Sequence, residues 1–147
     1  MTLAEQIIAD LRTAMKAGDV LRLSTLRLLQ SQITNQKIAL KTEELPSEEL
    51  LKIIQREIKK RREASEAFLK GGRKEDAEKE IQEQKILETY LPQQISDADL
   101  EKFVVDFISQ ISGDKNTGKI TGAILGKLKG QVDGGRVKAM VERMIKD

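Results

Sequence analysis

The chain has 147 residues, of which 39% are apolar and only 3% aromatic, so one domain or two small ones with aliphatic cores are expected. It contains no cysteine and no histidine, which excludes disulfides, Cys/His zinc sites, thiol nucleophiles and every catalytic triad that uses an imidazole. The formal charge of +2 hides an asymmetry, because residues 115–147 carry 8 Lys/Arg against 3 Asp/Glu while residues 1–114 carry 18 against 21. Such a basic tail favours an anionic partner.

The first two predicted helices begin at polar capping residues. Thr2 and Glu5 have the spacing of a capping box, and Gly18 is typical of a helix end. Asp19 can cap a second helix that extends to about Leu40. Its apolar residues form one wide stripe, which predicts a central helix covered by two or more neighbours. The stripe consists of Leu23, Leu26, Leu29 and Ile33, widened by Leu21 and Leu28.

Two long helices follow, joined by a pair of glycines. Pro46 suits the start of the first of them, and Gly71 and Gly72 are expected to end it. The highly charged segment at about residues 73–90 predicts the second helix. Long helices on either side of a short glycine turn indicate an antiparallel hairpin.

Pro92 interrupts the helical pattern, because proline disfavours helix at the residue before it. We place a domain boundary here, between an N-terminal domain of residues 1–92 and a C-terminal domain of residues 96–147. In the C-terminal domain, Ser96 and Asp133 can each cap a helix, and a third helix is expected between them.

That third helix is expected to run from about Thr117 to Lys129, with Gly130 ending it. No segment shows the alternation of a β-strand. The sequence therefore predicts an all-α protein with an N-terminal helical domain of long helices and a small C-terminal three-helix domain.

Four glycines recur at every fourth residue near the C-terminus, namely Gly118, Gly122, Gly126 and Gly130, here called the glycine series. Residues four apart share one helical face, and an interior glycine costs about 1 kcal/mol relative to alanine. The apolar residues Ile120, Ile124 and Leu128 lie two positions along, so the series faces away from them. Lys119 and Lys127 flank it on one side and Lys129 on the other. Such a strip can admit either a closely packed helix or a phosphate backbone.

Three segments of the chain resemble the YqeY family: Tyr-Leu-Pro-Gln-Gln-Ile-Ser at 90–96, Gly-Lys-Ile-Thr-Gly at 118–122, and Lys-Leu-Lys-Gly-Gln-Val-Asp at 127–133. The resemblance covers essentially the whole chain, including the basic stretch at residues 55–62. It implies an all-helical protein with an N-terminal helical domain and a three-helix tail.

The segment from about Ser96 to Asp147 is also similar to the tail domain of GatB, a subunit of the glutamine-dependent amidotransferase that acts on misacylated tRNA. Gly122 and Gly130 carry this similarity best, whereas Gly126 departs from it, since relatives often have proline or a larger residue there. The resemblance implies that the tail helps recognise the tRNA body and that the catalytic centres lie elsewhere.

We therefore expect tRNA as a partner, with amidotransferase subunits or an aminoacyl-tRNA synthetase as further candidates. The lysines would neutralise phosphates while the glycines permit close approach. With so few aromatic residues, backbone recognition fits better than base stacking. The candidate RNA-binding residues are Lys115, Lys119, Gly122, Gly126, Lys127, Lys129, Gly130, Arg136 and Lys138. The alternative for the same glycines is tight packing of the helix against a neighbour.

Other motifs favour structural interpretations. The basic run at residues 59–62 resembles a nucleic-acid patch, but i,i+4 pairs with Glu63 and Glu66 indicate a solvated helix face. Free amides at Gly134 and Gly135 could hold an anion, yet Asp133 is better placed to occupy them as a cap. The acidic residues at 75–83 lack the glycine pattern of a calcium loop, and we assign no metal and no cofactor.

Three functions remain open. The leading hypothesis is a non-catalytic accessory protein or tRNA-binding module related to the amidotransferase. The second is a component of a carbon–nitrogen ligase that uses glutamine as amide donor, although no catalytic residue is recognisable. The third is a helical adaptor that docks a protein through its residue 21–33 stripe or its glycines. The N-terminal residues lack a signal peptide and no run approaches the roughly 18 apolar residues of a membrane span, so we expect a cytoplasmic protein with no membrane partner.

Overall fold

A computed structural model of the chain describes residues 1–111, 113 and 116–146, the last of these by its backbone only. Within these residues the protein forms seven α-helices and no β-strand, which confirms the all-α prediction. The helices are α1 (Leu3–Ala17), α2 (Val20–Leu40), α3 (Ser47–Lys70), α4 (Lys74–Glu88), α5 (Asp97–Gln110), α6 (Thr117–Lys127) and α7 (Gly134–Lys146). They divide into two compact units, Met1–Leu91 and Pro92–Asp147.

The first unit packs α1 to α4 around an aliphatic core. The buried residues come from all four helices and are Ile7, Leu26, Leu29, Ile33, Leu50, Ile53, Ile54, Ile58, Ile86 and Leu87. At the start of α1, Thr2 and Glu5 form the predicted capping box, and Gly18 ends the helix with a left-handed φ of 69°. Asp19 then caps α2 by accepting a hydrogen bond from the Arg22 amide.

The stripe of α2 is narrower than expected. Leu26, Leu29 and Ile33 are buried in the core, but Leu28 is 42% exposed. The core-facing residues of the stripe are therefore covered within the unit, whereas Leu28 is exposed to solvent.

The helices α3 and α4 form the predicted antiparallel hairpin. Gly72 takes a left-handed φ of 76° in the turn between them. The second helix is shorter than expected, since α4 ends at Glu88 and the chain continues as a turn through Tyr90. The Tyr90 hydroxyl donates a 2.6 Å hydrogen bond to Asp10 Oδ2 of α1, which fixes the chain as it leaves the hairpin.

The second unit consists of α5, α6 and α7, each started by a side-chain cap. Ser96 accepts a hydrogen bond from the Asp99 amide, Asn116 from Lys119 and Asp133 from Arg136. The three helices bury one small core, whose members are Leu100, Val104, Ile120, Ile124, Leu128, Val132, Val137 and Val141. The caps and the apolar stripes that the sequence shows thus account for the start and the buried face of each helix.

Candidate nucleic-acid interface

The exposed side of α6 carries three of the four predicted glycines. Ile120, Ile124 and Leu128 are buried, with exposed fractions of 3%, 0% and 7%. Gly118, Gly122 and Gly126 are exposed on the opposite side and are here called the glycine face. The predicted opposition of the glycines and the aliphatic residues is therefore present in the folded helix.

Gly122 and Gly126 of the glycine face are not packed against the other described residues of the unit. Apart from its chain neighbours and the backbone of α6 itself, a Cβ atom built at either position would meet no described atom within 4 Å. At Gly118 the nearest atom is Oδ1 of the capping Asn116, at 3.2 Å. Tight packing against a neighbour within the described chain thus does not explain Gly122 and Gly126, although together they lower the helix stability by about 2 kcal/mol.

Gly130 does not belong to this face. The helix α6 ends at Lys127, two residues earlier than expected, with Leu128 as its C-cap residue. Gly130 lies in the following turn with a φ of 75°, a conformation that L-residues adopt at a cost of about 1–2 kcal/mol. Its carbonyl accepts a hydrogen bond of 2.8 Å from Gln94 Nε2. The four-residue spacing therefore spans two structural elements, and Gly130 has a conformational role.

Within α6, lysines lie along one side of the glycine face only. Lys119 and Lys127 each follow a glycine of the face and are exposed. Lys127 Nζ lies 5.2 Å from the centre of the Phe107 ring, a cation–π distance that holds this side chain beside α5. Lys129 lies beyond α6, in the turn that contains Gly130. Lys115 lies outside the described residues.

Arg136, which the sequence suggested as an RNA contact, is held by the unit itself. Its Nη2 donates to the Ile95 carbonyl at 2.9 Å and to Asp97 Oδ1 at 2.7 Å. The guanidinium therefore joins the start of α7 to the start of α5. Lys138 is exposed on α7.

The start of α7 is occupied by its cap. Asp133 Oδ1 accepts a hydrogen bond from the Arg136 amide, and a Cβ atom at Gly135 would lie 3.2 Å from the same oxygen. Asp133 thus acts as the predicted cap of α7, through the amide of Arg136 rather than those of Gly134 and Gly135.

Two residues that the sequence did not single out shape this region. Gln94 donates from one amide nitrogen to the carbonyls of both Pro92 and Gly130, so it fixes the turn after α6 to the segment before α5. Thr121 Oγ1 is buried in α6 and has no hydrogen-bond partner among the described residues. The signal for Gln94 was its place in the motif at 90–96, and that for Thr121 was its place in the motif at 118–122.

Comparison with known protein families gives a match that extends through both units. The family described as Yqey-like protein matches residues 4–145. The chain belongs to the YqeY family. This membership confirms the family resemblance of the three motifs, while the similarity of the tail to the GatB domain stays a prediction.

Similar curated proteins come from yeasts, and each is named "Altered inheritance of mitochondria protein 41, mitochondrial". The protein from Vanderwaltozyma polyspora is 36% identical over 104 residues, which cover 66% of this chain and 56% of the relative. The one from Kluyveromyces lactis is 38% identical over 81 residues, covering 55% of this chain and 44% of the relative. This YqeY chain thus spans about half the length of these curated relatives. Their names concern mitochondria, and the expected cytoplasmic location stays a prediction.

In the first unit of this YqeY protein, the basic run is not uniformly solvated. Lys59 forms the predicted pair with Glu63 at 4.0 Å on the surface. Arg61 instead turns inward, with a side chain only 14% exposed, and contacts Glu57, Glu80 and Glu83. Sequence spacing suggested pairs along one helix, but two of the three partners of Arg61 lie on α4, across the hairpin.

The described part of this YqeY chain contains neither a helix that could span a membrane nor a group of acidic side chains that could hold a metal ion. None of the helices there is long and apolar enough to cross a membrane. In the same residues, no group of three or more Asp or Glu side chains is arranged to hold a metal ion.

Proposed function

We propose that the C-terminal unit binds the sugar–phosphate backbone of structured RNA, with tRNA as the expected partner, through the glycine face of α6. The observation that carries this proposal is the open space over Gly122 and Gly126, beside the exposed Lys119 and Lys127. A bare helix backbone lets a phosphate chain approach closely, and the adjacent ammonium groups neutralise its charge.

The charge distribution supports an anionic partner. Residues 115–147 contain eight basic and three acidic residues, and the second unit has Lys138 exposed on α7 in addition to the lysines of α6. Phe107, whose ring is already covered by Lys127, is half-buried. The surface therefore suits recognition of a folded RNA by shape and charge rather than stacking on unpaired bases.

The direct test is the binding of fluorescently labelled tRNA to the full chain over a series of salt concentrations. Phosphate contacts make the logarithm of the affinity fall linearly with the logarithm of the salt concentration, by about 0.9 per contact for duplex DNA. We expect Lys119→Glu with Lys127→Glu to lower the affinity and to reduce this slope by the equivalent of about two contacts.

A matched control reverses two exposed charges elsewhere, Lys16→Glu with Arg56→Glu in the first unit. Because Lys127→Glu also removes the contact with Phe107, Lys119→Glu alone is measured alongside. Equal weakening by both double variants would show a non-specific charge effect, and unchanged affinity in the Lys119 and Lys127 variants would exclude the proposed surface.

The relation to the amidotransferase is part of the same proposal, with the chain as an accessory protein in the cytoplasm. The chain has no cysteine to serve as a glutaminase nucleophile. Glutamine-dependent amidation of misacylated tRNA by the purified chain would favour the ligase hypothesis instead. A protein partner that survives ribonuclease treatment would favour the adaptor hypothesis.

A further inference from the structure

Four charged side chains meet inside the α3–α4 hairpin, here called the Arg61 cluster. Arg61 Nε lies 3.1 Å from Glu83 Oε2 and 3.8 Å from Glu80 Oε2, and its Nη2 lies 3.5 Å from Glu57 Oε2. The exposed fractions of these side chains are low, at 14% for Arg61, 4% for Glu57, 18% for Glu80 and 11% for Glu83. The cluster thus places three carboxylates around one guanidinium in a largely dry site.

The charges of the Arg61 cluster do not balance. Besides Arg61, Lys60 reaches it, with Nζ 3.3 Å from Glu57 Oε1, so two positive charges face three carboxylates. An uncompensated buried charge is costly enough that a titratable group usually changes its protonation state instead. One proton on the cluster would remove the excess negative charge.

Among the described residues, the other charged groups near the cluster do not provide a buried positive charge that would balance the third carboxylate. On α4, two charged residues act on Glu80: Glu83 of the cluster and Lys79, which is exposed to solvent. The helix α2 also packs against α4 and contains no acidic residue, and its cations Arg22, Arg27 and Lys37 are not among the groups that act on Glu80.

A missing hydrogen bond indicates which carboxyl of the cluster carries the proton. Glu80 Oε2 is buried and has no hydrogen-bond partner among the described residues. Glu80 and Glu83 are three residues apart on α4 and approach the same nitrogen of Arg61. A protonated carboxyl at this position can donate to the neighbouring carboxylate, which gives the buried oxygen a partner.

We propose that the Glu80 carboxyl is protonated in the folded protein, where it donates a hydrogen bond to Glu83, and that this proton stabilises the α3–α4 hairpin. Burial raises the pKa of the Glu80 carboxyl, and repulsion from Glu83 raises it further, while Arg61 acts in the opposite direction.

The proton makes the stability of the first unit depend on pH. Because the folded state binds it more tightly than the unfolded chain, the stabilisation is complete below the ordinary glutamate pKa of about 4.3. It is lost as the pH rises through the raised pKa of Glu80 in the folded protein. The hairpin is therefore more stable in mildly acidic than in alkaline solution.

The test compares urea unfolding of the full chain from pH 5 to pH 8 for the wild type, Glu80→Gln and Glu78→Gln. An amide at position 80 mimics the protonated carboxyl, so we expect Glu80→Gln to flatten the pH profile and to raise the urea midpoint at pH 8. Glu78 is exposed on the same helix, and its variant should keep the wild-type profile. Loss of stability in Glu80→Gln at every pH would overturn the proposal, since it would mean that Glu80 acts as an ionised partner of Arg61.

A second measurement does not depend on any variant. Carbon-13 NMR of the side-chain carboxyls in the wild-type protein follows each glutamate as the pH is changed. We expect the signal of Glu80 to titrate at higher pH than those of the other glutamates. Titration of Glu80 in the ordinary glutamate range would equally overturn the proposal.

Discussion

The hydroxyl of Tyr90, just beyond the end of α4, donates a 2.6 Å hydrogen bond to Asp10 Oδ2 in the middle of α1. The two residues are 80 positions apart in the sequence, so this bond closes the first unit between its first and last helices. The other oxygen of Asp10 accepts from Gln6 Nε2 at 2.8 Å, which holds the carboxylate in place. Tyr90 is also the first residue of the family motif at 90–96, which gives this position a structural role.

Removal of this bond should destabilise the first unit. A hydrogen bond to a charged group contributes about 1.5–3 kcal/mol, so we expect Tyr90→Phe to lower the free energy of unfolding by about that amount or less, given the partial exposure of the site. A double-mutant cycle with Asp10→Asn, measured by urea unfolding, isolates the pairwise contribution. Strictly additive effects of the two substitutions would show that the bond does not form in solution.

The same bond should shift the ionisation of the tyrosine. Burial raises the pKa of Tyr90, and the hydrogen bond to Asp10 raises it further, so the neutral phenol is favoured in the folded state. Its stabilisation is fully present below the ordinary tyrosine pKa of about 10 and is lost as the pH rises through the folded value. The chain has one tyrosine and no tryptophan, so the ultraviolet absorbance of tyrosinate reports on this residue alone. We expect it to appear at higher pH in the native protein than in urea; coincident titrations would contradict the prediction.

Alanine substitutions in the glycine face should change the stability of α6 and the affinity for tRNA in opposite directions. An added Cβ at Gly122 or Gly126 meets nothing, so alanine at either position should stabilise α6 by about 1 kcal/mol, measured by amide hydrogen exchange of this helix. If the face contacts RNA, the same substitutions should weaken tRNA binding. Gly130→Ala is the contrasting variant, because a φ of 75° should make alanine destabilising by about 1 kcal/mol. A loss of helix protection in Gly122→Ala would show that the face is packed after all.

Arg136 should act on stability more than on RNA binding. Its guanidinium contacts the Ile95 carbonyl and Asp97 together, and one lysine ammonium cannot reproduce that planar arrangement. We expect both Arg136→Ala and Arg136→Lys to destabilise the second unit by about 1–3 kcal/mol, whereas Lys138→Ala on the exposed side of α7 should change it by about 0.5 kcal/mol or less. If thermal unfolding of the second unit is unchanged in Arg136→Ala while tRNA binding falls, the residue is an RNA contact.

Local sequence signals were sufficient for most helix starts. Thr2, Asp19 and Ser96 all carry the cap hydrogen bonds that their positions predicted, because a cap involves only residues three positions apart. Helix ends were less certain, and α6 stops before Lys129 since the chain turns at Leu128 to bury it in the core.

The site could be predicted only in part, because exposure depends on neighbours that are distant in sequence. The glycine face and its opposition to the aliphatic residues follow from helical periodicity, which a single segment contains. The roles of Arg61 and Arg136 do not, since Arg61 pairs with Glu83 of α4 and Arg136 with Asp97 of α5. A run of basic residues looks the same in sequence whether it faces water or a carboxylate on the next helix.

Because the glycine face is exposed, the melting temperature of the second unit should report whether a partner is bound to it. Its core is small and α6, with 11 residues, carries three glycines, so little stability is in excess. Any partner that binds only the folded unit adds about 2.7 kcal/mol at a concentration one hundred times its dissociation constant. The melting temperature of this unit should therefore rise with each true ligand offered to it, and screening by thermal shift can identify the partner whatever its chemical class.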